Sequence, residues 1–146
     1  YSRDYTPEEK HANIYISCVD TVKARKIVLE SFYREYVKYR PYEIPYYWLD
    51  FGNSSSFGQV VLADHKRNLK NIFELHPDME LKEDPNEPSC SLAEALTKQE
   101  LLINSTLANI GMNIIYQLFW NMGVEIQGAY LNLKDFSLAT IPIPEK

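Results

Sequence analysis

The chain has 146 residues, 45% of them hydrophobic and 24% charged, which suits a single domain (1–146) with a buried core. A formal net charge of −5 argues against nucleic acid as a partner, because nucleic-acid affinity comes from clustered lysine and arginine. No apolar run approaches the length of a membrane span, and no targeting peptide is apparent, so we expect no membrane partner and a cytoplasmic protein.

The cysteines are too few and too far apart for a disulfide framework or a structural zinc site. Cys18 and Cys90 do not form a C-x-x-C pair. Cys18 falls within an apolar strand, so we expect it in the core. The sequence begins at Tyr1 without a methionine, and we expect it to be a fragment or a processed product.

An apolar segment at 13–19 predicts a buried strand that runs directly into a helix over 21–40. Asp20 lies at the joint. Ligands of open α/β sheets gather at the carboxyl ends of strands, so Asp20 is placed where a Mg-nucleotide would bind. The alternative is that Asp20 only caps its own helix, and the spacing alone favours the cap.

Two strands are predicted over 46–53 and 58–62, antiparallel to each other and joined by turn residues that follow Gly52. Asp50 is a second carboxylate near a strand end. It either approaches a nucleotide or partner tail, or caps the turn beside Gly52, which is the favoured interpretation.

Residues 64–76 predict either a short helix or an irregular excursion. His65 and His76 lack a third ligand at metal spacing, so neither is assigned to a metal. The proline-rich and acidic stretch that follows, about 77–90, predicts a mobile loop.

A helix is predicted over 91–122, and Ser91 with Glu94 has the form of a capping box at its start. Cys90 therefore precedes a helix N-terminus, where the helix dipole favours the nucleophilic thiolate. The alternative, an inert structural thiol, is favoured because no base lies nearby in the sequence.

Within this helix, Gly111 and Ala108 narrow one face so that another helix could approach, although packing on the sheet is the preferred interpretation. Gly123 is expected to end the helix. Strands at 125–133 and 136–143 predict a C-terminal β-hairpin at the sheet edge. The predicted fold class is α/β, a mixed sheet with helices packed on it.

Three segments in order resemble one family. Residues 18–25 (C-V-D-T-V-K-A-R) resemble the C-x-D-N-x-x-x-R signature of the ThiF/MoeB family, with Thr21 in place of the asparagine. The segments at 46–53 (Y-Y-W-L-D-F-G-N), 58–62 (G-Q-V-V-L) and 88–96 (P-S-C-S-L-A-E-A-L) resemble its PRTRC-system ThiF branch. The resemblance implies the second half of a Rossmann-like adenylation domain.

The resemblance also implies a function. ThiF/MoeB proteins are bacterial relatives of ubiquitin-activating enzymes, and use Mg-ATP to adenylate the C-terminus of a ubiquitin-like or sulfur-carrier protein. By this likeness Asp20 holds Mg²⁺, Arg25 helps to organise the ATP site, and Cys90 is the candidate to receive the acyl group as a thioester. A homodimer is expected, without zinc. For Arg25, a surface or salt-bridging arginine is an equal alternative.

The glycine-rich nucleotide loop of the family is missing, since no G-x-G-x-x-G occurs in the sequence. We therefore expect this chain alone to be inactive unless another polypeptide supplies that half. Two alternatives remain: a catalytically inactive ThiF-like module that binds a partner protein, which Thr21 favours, and an unrelated α/β domain that binds a small molecule.

Overall fold

The chain forms an α/β structure in which helices pack on both faces of one sheet. A computed structural model describes residues 12–38, 46–66, 68–79 and 102–145. In chain order the described elements are β1 (Ile14–Ser17), α1 (Val22–Lys38), β2 (Tyr47–Asn53), β3 (Phe57–Asp64), α2 (Ile72–Leu75), α3 (Ile103–Trp120), β4 (Ile126–Asn132) and β5 (Ser137–Pro142).

The five strands form one mixed sheet in the order β1-β2-β3-β4-β5. β1 and β2 are parallel, and every later neighbouring pair is antiparallel. Parallel neighbours need a long crossover connection, because the chain must return to the end of the sheet from which it started, and α1 lies in that connection. The predicted α/β class and mixed sheet are confirmed.

The core is divided in two by the sheet, and β3 contributes to both halves. Val60 and Leu62 cluster with Ile114 of α3, whereas Val61 clusters with Phe32 of α1 on the opposite face. Successive side chains of a strand point to opposite faces, so a strand covered on both faces reads as a continuous apolar run. The apolar run in β3 is therefore explained by its central position in the sheet.

Both predicted hairpins are confirmed. β2 and β3 pair antiparallel across a short turn, in which the Ser54 backbone N–H donates to the Phe57 carbonyl at 2.7 Å. β4 and β5 pair across a turn at 133–136, where the Asp135 carboxylate accepts from the Ser137 backbone N–H at 3.0 Å. Turn-forming residues between two segments of strand-forming residues are the local signal that predicts both hairpins.

The predicted helices are present with adjusted bounds. α1 begins at Val22, and its predicted end lies outside the described residues, as do the capping box at 91–94 and most of the loop at 77–90. α3 (Ile103–Trp120) lies within the range 91–122 that was predicted as one helix, but it begins only at Ile103, after the N-cap residue Leu102. None of the described helices is both long enough and apolar enough to cross a membrane.

Within 64–76 the short-helix alternative is confirmed, because α2 occupies its second half. Asn71 caps this helix: its side-chain oxygen accepts from the backbone N–H of Phe73 at 3.0 Å and of Glu74 at 3.1 Å. The Glu74 carboxylate accepts in return from the Asn71 backbone N–H at 2.9 Å. This reciprocal pair is a capping box, and it stabilises a helix too short to form alone.

The end of α3 differs from the prediction. Met122, and not Gly123, has a positive φ, of 56°. Gly111 is buried against the sheet, where an added β-carbon would overlap the Phe51 ring of β2. The small residue thus lets the helix approach the sheet, as the preferred interpretation held, and Ala108 is exposed.

Gly128 of β4 has a close backbone neighbour, because an added β-carbon would collide with the carbonyl oxygen of Val60 on β3. We therefore expect Gly128→Ala to lower the free energy of unfolding by about 1–3 kcal/mol, the usual cost of overpacking. Urea unfolding measures this change.

The matched control is Gly123→Ala, since no atom lies within 4 Å of its added β-carbon. This variant should match the wild type, or gain up to about 1 kcal/mol from the reduced entropy of the unfolded chain. Equal stability of the two variants would contradict the packing described for β4.

Candidate functional site

The candidate site lies where β1 ends beside β2. The two strands are parallel, and Ser17, the last residue of β1, is opposite Asp50. The chain then passes through residues 18–21 into α1. Because parallel strands end at a common edge, and the helix that follows begins there, this edge collects polar groups from different parts of the chain.

A buried polar cluster lies directly beneath this edge. The Ser17 hydroxyl donates to Asp50 Oδ1 at 2.6 Å, and the Trp48 indole Nε1–H donates to Ser17 Oγ at 2.7 Å. Trp48 and Asp50 are two residues apart on β2 and therefore share a face of the sheet. All three side chains are buried, and the indole, hydroxyl and carboxylate form one hydrogen-bonded chain.

Arg25 completes the cluster from the first turns of α1. Its Nε donates to Asp50 Oδ1 at 3.0 Å and lies 2.8 Å from Oδ2. Its Nη2 donates to the carbonyl oxygens of Val19 at 2.9 Å and Phe51 at 3.1 Å. Arg25 is 5% exposed and Asp50 1% exposed, so the guanidinium joins the β1–α1 connection to β2 from inside the protein.

Burial and charge act in opposite directions on Asp50. Burial raises the pKa of its carboxyl, and the Arg25 guanidinium and the Ser17 hydroxyl oppose part of that rise. Cys18 is affected as well: partial burial raises the pKa of its thiol, and the nearby Asp50 charge raises it further. Both effects disfavour the thiolate of Cys18, which is the nucleophilic form.

Asp20 is exposed at the start of α1, and Thr21 supplies the helix cap. The Thr21 hydroxyl oxygen accepts from the Ala24 backbone N–H at 3.1 Å, and its carbonyl accepts from the Arg25 backbone N–H at 3.1 Å. A hydroxyl that bonds to the third residue of a helix is the usual N-cap arrangement. The interpretation of Asp20 as the helix cap is therefore wrong.

Two sequence expectations for neighbouring residues are also wrong. Asp50 is neither an exposed strand-end carboxylate nor a turn cap beside Gly52, because it is buried in mid-strand and paired with Arg25. Cys18 was expected in the core, but its side chain is exposed. Asp50 lies within a predicted strand, whereas Cys18 follows the end of β1, which is shorter than the predicted strand over 13–19.

The other predicted site residues have distinct outcomes. Arg25 lies at the predicted edge and is salt-bridging, as one interpretation held, but it is buried instead of being on the surface. Cys90 lies outside the described residues, so its nucleophilic role stays a prediction.

Among the described residues there is no group of three or more histidine, cysteine or acidic side chains that could hold a metal. At the β1 edge, Asp50 is occupied by Arg25 and Ser17, which leaves Asp20 as the exposed carboxylate. Mg²⁺ is often bound by one or two carboxylates while substrate phosphates and water complete its shell. The single exposed carboxylate at this edge fits this mode of Mg²⁺ binding, but it could not form a complete metal site from protein ligands alone.

Sequence reasoning missed Ser17 and Trp48. The spacing in the sequence could have indicated the Trp48 contribution. Trp48 and Asp50 are two residues apart on β2, so their side chains lie on the same face of the strand and a carboxylate beside an indole is expected there. The contribution of Ser17 was not readable, because it depends on the register between β1 and β2. Ser17 and Asp50 are 33 positions apart in the chain.

A scan against models of known protein families found no match, and neither did a search of curated proteins. The likeness to the ThiF/MoeB family rests on the quoted segments alone.

The buried pair makes a strong prediction about stability. Asp50→Asn keeps the shape of the side chain but leaves the Arg25 guanidinium buried without a counter-charge. We expect the free energy of unfolding to fall by about 3–5 kcal/mol, the range for breaking a buried ion pair from one side. Urea unfolding at neutral pH measures it.

Asp20→Asn is the matched control, because it makes the same chemical change at an exposed carboxylate of the same edge. It should stay within about 0.5 kcal/mol of the wild type. Asp50→Leu combined with Arg25→Met should cost less than the two single substitutions together, since no unpaired charge remains. Additive costs would contradict the pairing.

Proposed function

We propose that this chain is part of an ATP-dependent adenylyltransferase that activates the C-terminal carboxylate of a ubiquitin-like or sulfur-carrier protein. The observation that carries the proposal is Asp20, an exposed carboxylate where β1 passes into α1, at the edge that β1 shares with β2. The segment at 18–25 resembles the ThiF/MoeB signature at this same place.

The position of Asp20 supports the proposal for a physical reason. Open α/β sheets bind ligands outside the carboxyl ends of parallel strands, where helix N-termini attract phosphate. Thr21 caps α1, so the carboxylate of Asp20 is not used by its own helix. An exposed carboxylate beside a helix N-terminus suits Mg²⁺ bound to ATP, because the metal neutralises phosphate charge.

Arg25 has a positioning role in this proposal. Its guanidinium is buried and engaged by Asp50 and by the carbonyls of Val19 and Phe51, so it acts on the nucleotide through the segment that carries Asp20. Val19 directly precedes Asp20. The hydrogen bond to the Val19 carbonyl limits the backbone freedom of Asp20. A metal ligand held in place binds more tightly than a mobile one, because less conformational entropy is lost on binding.

The reaction is a displacement at phosphorus. An oxygen of the protein C-terminal carboxylate attacks the α-phosphorus of ATP and forms an acyl-adenylate, while the bond to the β-phosphate breaks and pyrophosphate leaves. Transfer of the acyl group to Cys90 would release AMP and form a thioester. No G-x-G-x-x-G loop occurs in the sequence, so the proposal assigns the groups that bind the triphosphate to another polypeptide segment.

A second candidate function is a partner-binding module that does not adenylate. Thr21 favours it, because a threonine that caps α1 replaces the asparagine of the family signature. The pairing of Asp50 with Arg25 favours it too, since it removes a second carboxylate from the exposed edge. This module would keep the fold and bind the same kind of partner protein.

Mn²⁺ replaces Mg²⁺ on ATP and broadens the NMR signals of nearby protons, so it locates the metal directly. With Mn²⁺ and ATP, we expect selective broadening of the backbone amide signals of residues 18–25. Asp20→Ala should remove it, because the carboxylate supplies the protein ligand. The control is Glu30→Ala, which removes an exposed carboxylate elsewhere on α1 and should leave the broadening unchanged.

Broadening that is the same in the wild type and Asp20→Ala would contradict the proposed metal contact. The two candidate functions are then separated by ATP–pyrophosphate exchange, measured on the protein together with the polypeptide segment that supplies the triphosphate-binding groups. Exchange that depends on Asp20 supports the adenylyltransferase. Partner binding that survives Asp20→Ala, with no exchange in the wild type, supports the module.

A further inference from the structure

An apolar groove lies between α3 and β5, at the end of the sheet opposite to β1. α3 packs mainly on β2, β3 and β4, so β5 extends beyond the helix. Leu138 and Thr140 alternate along β5 and form the outer wall of the groove. Ile110 and Ile114 of α3 form the inner wall, and Ala129 of β4 lies between the two walls. The groove is therefore built from one helix and the last two strands.

The volume and polarity of the groove limit what it can hold. Its volume is about 180 Å³. A dry apolar cavity of about 150 Å³ holds benzene, so this groove has room for one or two fused rings. Among the described residues that line it, none is charged. A small neutral molecule thus fits the groove, whereas a segment of peptide chain is too large for it.

One polar atom of the lining has no hydrogen-bond donor. Gln117 lines the groove on the α3 side, and its amide nitrogen donates to Asn113 Oδ1 at 3.3 Å. The amide oxygen, Oε1, is buried and accepts no hydrogen bond from any residue that the structure describes. A buried oxygen without a donor is destabilising, because it has lost its water partners and gained nothing in return. A bound molecule with an N–H or O–H group would supply the missing donor.

We propose that this groove binds a small, neutral ring compound that carries one N–H or O–H donor, and that Gln117 Oε1 accepts the hydrogen bond from it. Apolar walls with a directed polar group are the usual construction of a small-molecule site, in which the walls bury the ligand and the polar group orients it. The inference goes beyond the proposed function and does not depend on it, since β1 and β5 are the two opposite edges of the described sheet.

The two parts of the site recognise different parts of the ligand. The ring is buried between Ile110 and Ile114 on one side and Leu138 on the other, and Leu138 is 56% exposed before the ligand covers it. Gln117 is half-buried, and the terminal torsion of a glutamine side chain has a broad energy minimum. Its amide can therefore turn its oxygen towards a donor in the groove without any change in the backbone.

Indole and indene test the proposal as a matched pair, because they have nearly the same shape and only indole has an N–H donor. Titration of the chain with each compound, followed by NMR of the backbone amides, measures both dissociation constants. We expect saturable shifts of the signals of residues 126–129 and 138–140. Indole should bind about 3–10-fold more tightly than indene, the net effect of one neutral hydrogen bond.

Gln117→Met removes the accepting oxygen but keeps a side chain of similar length and helix propensity. It should weaken indole binding about 3–10-fold and abolish the preference for indole over indene. The matched control is Asn109→Met, which also replaces an amide of α3 with an apolar side chain, but at an exposed position outside the groove. This variant should bind both compounds like the wild type.

Thr140→Phe tests the groove independently of Gln117. Thr140 is exposed and phenylalanine is favoured in strands, so the fold should tolerate the change. The added ring should fill the groove and abolish the binding of indole and indene alike.

Any of four results would overturn the proposal. They are wild-type titrations without saturable shifts at the groove, equal affinity of the wild type for indole and indene, a preference for indole that survives Gln117→Met, and binding that survives Thr140→Phe. Tighter binding of N-acetyltryptophanamide than of indole would also overturn it, because the occupant would then be a side chain of a partner protein instead of a free small molecule.

Discussion

The ion pair between Arg25 and Asp50 is the constraint on which the rest of this structure depends. Charges are costly to bury, and the cost is offset only when both partners are bonded from several directions. Here the carboxylate also accepts from Ser17, and the guanidinium also donates to the carbonyls of Val19 and Phe51. These bonds come from β1, α1, β2 and the β1–α1 connection, so they are satisfied together only if those parts have one relative arrangement.

The same pair decides which polar groups remain available for chemistry. It removes Asp50 and Arg25 from the surface, while Thr21 takes the helix cap, and Asp20 is left exposed at the edge. A site with a single carboxylate suits a metal that brings most of its ligands with the substrate. This single exposed carboxylate is the physical basis of the proposed adenylation role.

The two ends of the sheet differ in how they are suited to partners. At the β1 end, polar groups converge on the strand terminus, and Asp20 introduces charge. At the β5 end, a long uncharged strand lies beside an apolar groove. Charged ligands and apolar ligands need different surfaces, since the former need directed polar groups and the latter need apolar walls. One sheet can provide both kinds of surface because different segments of the chain form its two edges.

The sequence by itself determined the strands, α1 and both hairpins, because periodicity and turn chemistry are properties of neighbouring residues. It also placed Asp20 at a strand-to-helix joint. Only the tertiary structure decided that Asp50 is buried against Arg25, that Cys18 is exposed and that Gly111 contacts the sheet. Arg25 and Asp50 are 25 positions apart, and no local pattern records the register that brings such groups together.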